Sequence, residues 1–171
     1  MRSLLVLTMT LFINSLFAQT AEEKLKSLNI VLPAPSSPIA NYVKFVRTGN
    51  LIFLSGHGPA KADGSYITGK LGRDLSIEEG YVAAKQTGIG LLATLKNAVG
   101  DLSKVKRIVK VLGMVNSTDS FTDQPKVING FSDLMVAVFG DKGKHARSAV
   151  GMASLPMNIA VEIEMVVEVE N

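Results

Sequence analysis

The chain has 171 residues, 47% of them hydrophobic, and a formal net charge of +3, which is enough for one domain with a substantial core. The charge is small and dispersed, with no basic run longer than Lys104-Val105-Lys106-Arg107, so charge alone gives no case for a nucleic-acid partner. There is no cysteine and only two histidines, His57 and His145, so disulfides are excluded and no metal-ligand spacing is present.

Residues 1–18 are predicted to be a secretory signal peptide. Arg2 is its positive end, Leu4 to Phe17 its apolar stretch, and Ala18 the residue before the cut. That stretch is shorter than the roughly 20 residues that span a bilayer. The mature protein is expected to be exported, periplasmic or secreted, and soluble. Residues 19–41 are polar and then rich in Pro and Ser, and are predicted to be irregular; 19–32 form an N-terminal extension and 33–171 a single domain.

The apolar runs around Tyr42–Val46 and Leu51–Ser55 flank an Arg-Thr-Gly-Asn turn, a hairpin pattern. The Gly-rich stretch from Gly56 to Asp74 predicts a loop. Ser76 and Glu79 form a capping box that opens a helix ending at Gly100, with Ile77, Tyr81, Ala84, Gly88, Leu91, Leu95 and Val99 on its buried face. Residues 105–116 are β-branched and predict a strand. A second helix starts near Pro125, ends around Phe139–Gly140, and buries Ile128, Phe131, Leu134, Met135 and Val138. Strands over 146–154 and 160–169 follow, joined through Leu155-Pro156. This order predicts the α+β class, with helices on one face of a mixed sheet.

Charges inside the last two strands set the functional question. In 161–170, Val161, Ile163, Met165, Val167 and Val169 alternate with Glu162, Glu164, Glu168 and Glu170. A half-exposed strand with solvated glutamates accounts for that pattern. Arg147 is different, because its same-face companions Ala149, Gly151 and Ala153 are all small and leave room for a pocket. A guanidinium binds a carboxylate through two parallel hydrogen bonds, and a glutamate on the next strand offers proton transfer. A ligand site and a solvated surface both remain open on the residues alone. Ser55-Gly56-His57 is not a nucleophile elbow, because no glycine stands two residues before the serine; it reads as a strand end or a ligand-facing turn.

The stretch "ARSAVGMASLPMNIAVEIE", with "PIANYV", "LIFLSGHGP" and "VINGFSDLM", resembles the Rid/YjgF family of reactive-intermediate (imine) deaminases, formerly called endoribonuclease L-PSP, over about residues 33–169. The resemblance implies a chorismate mutase-like fold, with two helices on one face of a mixed six-stranded sheet. It further implies a homotrimer with ligand clefts between subunits. The implied reaction is hydrolysis of short 2-imino acids to 2-keto acids and ammonia, with no cofactor, metal, nucleic acid or membrane involved. Carried onto this sequence, Arg147 would bind the substrate carboxylate and Glu162 would position water. Tyr42 would close the cleft, and Ser55, Gly56, Asn129 and Ala149 would line it. Where many members have P-A-R-S-C, this chain has His145-Ala146-Arg147-Ser148-Ala149. The alternatives are a non-catalytic trimer that binds small carboxylic acids and, with less support, an endoribonuclease.

Overall fold

A computed structural model describes residues 19–34 and 41–170; the predicted signal peptide lies outside the described residues. The elements are α1 (Ala21–Ser27), β1 (Phe45–Thr48), β2 (Leu51–His57), α2 (Ile77–Val99), β3 (Val105–Asn116), α3 (Gln124–Phe139), β4 (Ala146–Met152) and β5 (Val161–Val169). Among the described residues the sheet has five strands in the order β1-β2-β5-β3-β4, where the resemblance implies six, and there are three α-helices rather than two. β3 and β4 are parallel, which requires the α3 crossover between them, and the other neighbours are antiparallel. No helix among the described residues is long and apolar enough to cross a membrane.

The extra helix corrects the expectation of an irregular leading segment. Thr20 Oγ1 accepts from Glu23 N at 3.2 Å, while Thr20 N donates to Glu23 Oε2 at 2.8 Å. The Thr-Ala-Glu-Glu sequence therefore caps α1 by the same box that opens α2 at Ser76 and Glu79. α1 buries Ala21 and Leu25, and Glu22 accepts from Leu102 N. The glycine-rich loop after β2 forms only isolated bridges, Ala60 with Tyr66 and Thr68 with Ile159, which are too short to count as strands.

One face of the sheet carries α2 and α3. Ile52, Val111, Ile163, Met165 and Val167 project into that layer and meet Leu91, Leu95, Ile128 and Phe131, all at most 2% exposed. Strand alternation leaves Glu162, Glu164 and Glu168 on the opposite, open face, as the sequence predicts. α2 and α3 touch closely at Gly130, where an added Cβ would collide with the Tyr81 carbonyl oxygen and stand 2.8 Å from its carbon. Helix propensity favours Gly130→Ala by about 1 kcal/mol, but overpacking against rigid backbone costs up to about 3 kcal/mol. The contact wins. Urea unfolding of Gly130→Ala is expected to show a loss on the order of 2 kcal/mol, and a gain in stability would refute the close approach.

Candidate functional site

The residues singled out by sequence fall into two groups on opposite faces of the sheet. Arg147 pairs with Val111, whose side chain is fully buried on the helix side, and its guanidinium reaches α3. Glu162 pairs with Met114 on the open face. Within one subunit the strand register therefore keeps the two charges apart.

The first group is built by α3. Asn129 and Ser132 are three residues apart and share a helix face. Arg147 Nη1 donates to Asn129 Oδ1 at 3.0 Å and to Ser132 Oγ at 2.9 Å, and Nη2 donates to the Pro125 carbonyl at 3.4 Å. This leaves Nε–H and one Nη2–H without a partner among the described residues, and a guanidinium with such free donors can bind a carboxylate. All three acceptors are neutral, so the guanidinium keeps its full charge for an anion. Ala149 stands on the same strand opposite Gly113 and packs partly against the core.

Ser132 and His145 extend this group in a way the sequence reading missed. His145 Nδ1 lies 2.7 Å from the Gly143 carbonyl, which can only accept, so Nδ1 carries the proton. Nε2 of the neutral ring then accepts the Ser132 hydroxyl proton across 3.1 Å, leaving the Ser132 lone pairs for Arg147. Burial, with help from the Arg147 charge, pulls the imidazole pKa below its ordinary value and keeps it neutral. The chain Arg147 → Ser132 → His145 → Gly143 thus has one consistent direction.

The second group forms where β2 outruns its neighbour. β1 begins opposite Leu54, and a bulge between Leu54 and His57 lets Ser55 and Gly56 share the stretch facing Glu164. Ser55 is tied back by its hydroxyl to the Val43 carbonyl at 2.7 Å. Gly56 lies beneath Glu162: an added Cβ there would collide with Glu162 Oε1 and stand 2.9 Å from its Cδ. Only a glycine permits the carboxyl to lie over this backbone. Glu162 has no hydrogen-bond or ion-pair partner among the described residues. Its pKa is raised above the ordinary glutamate value of 4.5, mainly by burial and also by the Glu164 charge. A proton-transfer group needs such a shift. By contrast, Glu168 accepts from Asn50 and serves the strand.

Glu162 opens into a cleft of about 810 Å³ that also takes in Tyr42, Lys44, Gly56 and His57. Tyr42 stands at its mouth with Lys44 Nζ 5.8 Å from the ring centroid. His57, only 8% exposed, donates from Nδ1 to the Ser55 carbonyl at 2.7 Å and accepts from the Thr94 hydroxyl at 2.8 Å. Burial pulls its pKa below 6.5. In the window below that value the unfolded chain binds the proton that the folded ring refuses, so stability falls as pH falls from about 6.5 toward the folded pKa. Thermal melts between about pH 7.5 and 5 are expected to show this loss, with a shallower slope in His57→Gln. An unchanged slope would mean that His57 binds its proton equally well in the folded and the unfolded chain.

The family description "YjgF/chorismate_mutase-like, putative endoribonuclease" matches residues 22–169. The chain is 45% identical over 148 residues to Protein TCP17 of Trypanosoma cruzi, covering 86% of this chain and 92% of that one. It is 31% identical over 142 residues to a 2-iminobutanoate/2-iminopropanoate deaminase of Dermatophagoides farinae, covering 82% of this chain and 95% of the relative. The crystal structure of Atu1372 from Agrobacterium tumefaciens, a protein of unknown function, superposes with a TM-score of 0.82 at 43% identity, over 89% of this chain and 93% of that one.

Proposed function

Because the chain belongs to the YjgF/chorismate mutase-like family, we propose that it is a hydrolytic deaminase of 2-imino acids. The observation that carries this reading is Glu162, an unpaired carboxyl with a raised pKa held over Gly56 at the base of a cleft. The identity to a 2-iminobutanoate/2-iminopropanoate deaminase supports it further.

An imine carbon is already electrophilic, so catalysis requires a placed water, a place for its proton and an anchored substrate. Ionised Glu162 takes a proton from water as the oxygen bonds to the imine carbon. Glu162 returns that proton to nitrogen to give the neutral carbinolamine, then takes the carbinolamine hydroxyl proton and passes it to nitrogen as the C=O bond forms, the C–N bond breaks and ammonia leaves. The sum is imino acid plus water giving keto acid plus ammonia. The Nε/Nη2 fork of Arg147 binds the substrate carboxylate.

Since Arg147 and Glu162 occupy opposite faces of one subunit's sheet, the reading requires a neighbouring copy to complete each site, and we propose a homotrimer. The open face suits such packing, because Val46 and Phe53 stand 55% and 45% exposed on paired strands. Monomer mass by light scattering would remove the shared site. The activity is tested by generating imines with an amino acid oxidase and trapping them with semicarbazide. The protein is expected to lower semicarbazone yield and speed keto acid release. Binding of keto acids without any acceleration would make it a carboxylate-binding protein instead.

A further inference from the structure

We propose that the side-chain end of the cleft is built for imino acids with large apolar substituents, such as branched aliphatic or aromatic ones, rather than for short ones. This rests on the deaminase reading above. The cleft of about 810 Å³ lies in the range that encloses drug-sized ligands, whereas a three- or four-carbon imino acid would fill a small part of it. Beyond Glu162 the wall is largely apolar, formed by Tyr66, Ile159, Ile89, Ile30 and Pro33. Its two cations are the half-buried Lys44, beside Tyr42, and the exposed Lys61.

Gly90 is the independent observation. It lies in the middle of α2, where glycine weakens a helix. At the nearby Gly88 a Cβ would be 2.9 Å from Leu134 Cδ2, so packing explains that glycine. At Gly90 the nearest atom to an added Cβ is His57 Cδ2, at 3.9 Å, so no contact requires its absence. What the missing side chain does leave is space in the cleft, next to the ring that follows Gly56 in the chain. The room therefore continues from the reacting end at Glu162 past His57 to α2. A substrate whose C2 lies at Glu162 would extend its side chain along this route.

The test compares imines generated from leucine and phenylalanine with those from alanine, 2-aminobutyrate and glutamate. The large apolar imines are expected to show kcat/KM at least ~10-fold above the alanine-derived one, the scale on which a hydrophobic pocket discriminates. Gly90→Leu is expected to cut that ratio at least ~10-fold, with Gly90→Ala as the folding control. Equal or better turnover of the short imines, a preference for the glutamate-derived one, or an unchanged ratio in Gly90→Leu would overturn the proposal. Calorimetry with phenylpyruvate and pyruvate separates it from the activity. If no imine is turned over but phenylpyruvate binds more tightly and Gly90→Leu removes the difference, the deaminase reading fails and the cleft assignment stands. If the two acids bind alike, the cleft assignment fails whatever the activity.

Discussion

Glu162→Gln is expected to lower kcat/KM for imine hydrolysis by about 10²–10⁴, the usual contribution of a positioned general acid–base group. That corresponds to about 3–5 kcal/mol of barrier. The amide keeps the size of the side chain and its place over Gly56 but cannot take a proton from water. The pH profile gives a second readout. In the proposed reaction Glu162 works as the carboxylate, and burial with the neighbouring Glu164 charge raises its pKa above 4.5. The acidic limb of kcat/KM should therefore lie above the range of an exposed glutamate, with activity lost as pH falls through it. Glu164→Gln removes the charge that contributes to the shift, so it should move the limb to lower pH while the plateau stays. Glu162→Gln within twofold of wild type would end the assignment, since the described cleft holds no other carboxylate in its lining.

The regular elements were legible because each carries a one-dimensional signal. Alternation placed Val161 to Val169 inside and the glutamates outside, and the Ser76–Glu79 box fixed the start of α2. The same box at Thr20 and Glu23 was overshadowed by the Pro- and Ser-rich residues that follow, so α1 went unread. The buried face of α2 shows a smaller slip. Gly80, Ala83 and Thr87 are buried, whereas the periodicity puts Ile77 and Tyr81 on that face; small residues carry little periodic signal although they allow the closest packing.

The site was harder for a geometric reason. Spacing along β4 and β5 identifies Arg147 and Glu162 as unusual, but it cannot say that β3 lies between their strands and turns them to opposite faces. Gly56 was named, yet its closeness to Glu162 depends on the bulge after Leu54, which leaves no mark in hydrophobic periodicity. Ser132 could have been found, since it stands one turn from Asn129 on α3. The role of His145 could not, because it depends on the turn that brings the Gly143 carbonyl to Nδ1.

Arg147→Ala should abolish the carboxylate fork and lower kcat/KM by about 10²-fold or more, as loss of a charge-assisted bidentate contact implies. Arg147→Lys should recover little of it, since an ammonium keeps the charge but not the parallel pair of donors. The decisive form of the experiment mixes two inactive proteins. Arg147→Ala retains Glu162, and Glu162→Gln retains Arg147. Unfolded together and refolded at random into the proposed trimer, they would place an intact arginine beside an intact glutamate at some interfaces. If each site takes one residue from each of two neighbours in a closed ring, roughly a quarter of the sites are restored. If both residues act from one subunit, none is restored. The opposite-face placement of Arg147 and Glu162 predicts recovery, and its absence in mixtures verified as heterotrimers would overturn the site shared between neighbours.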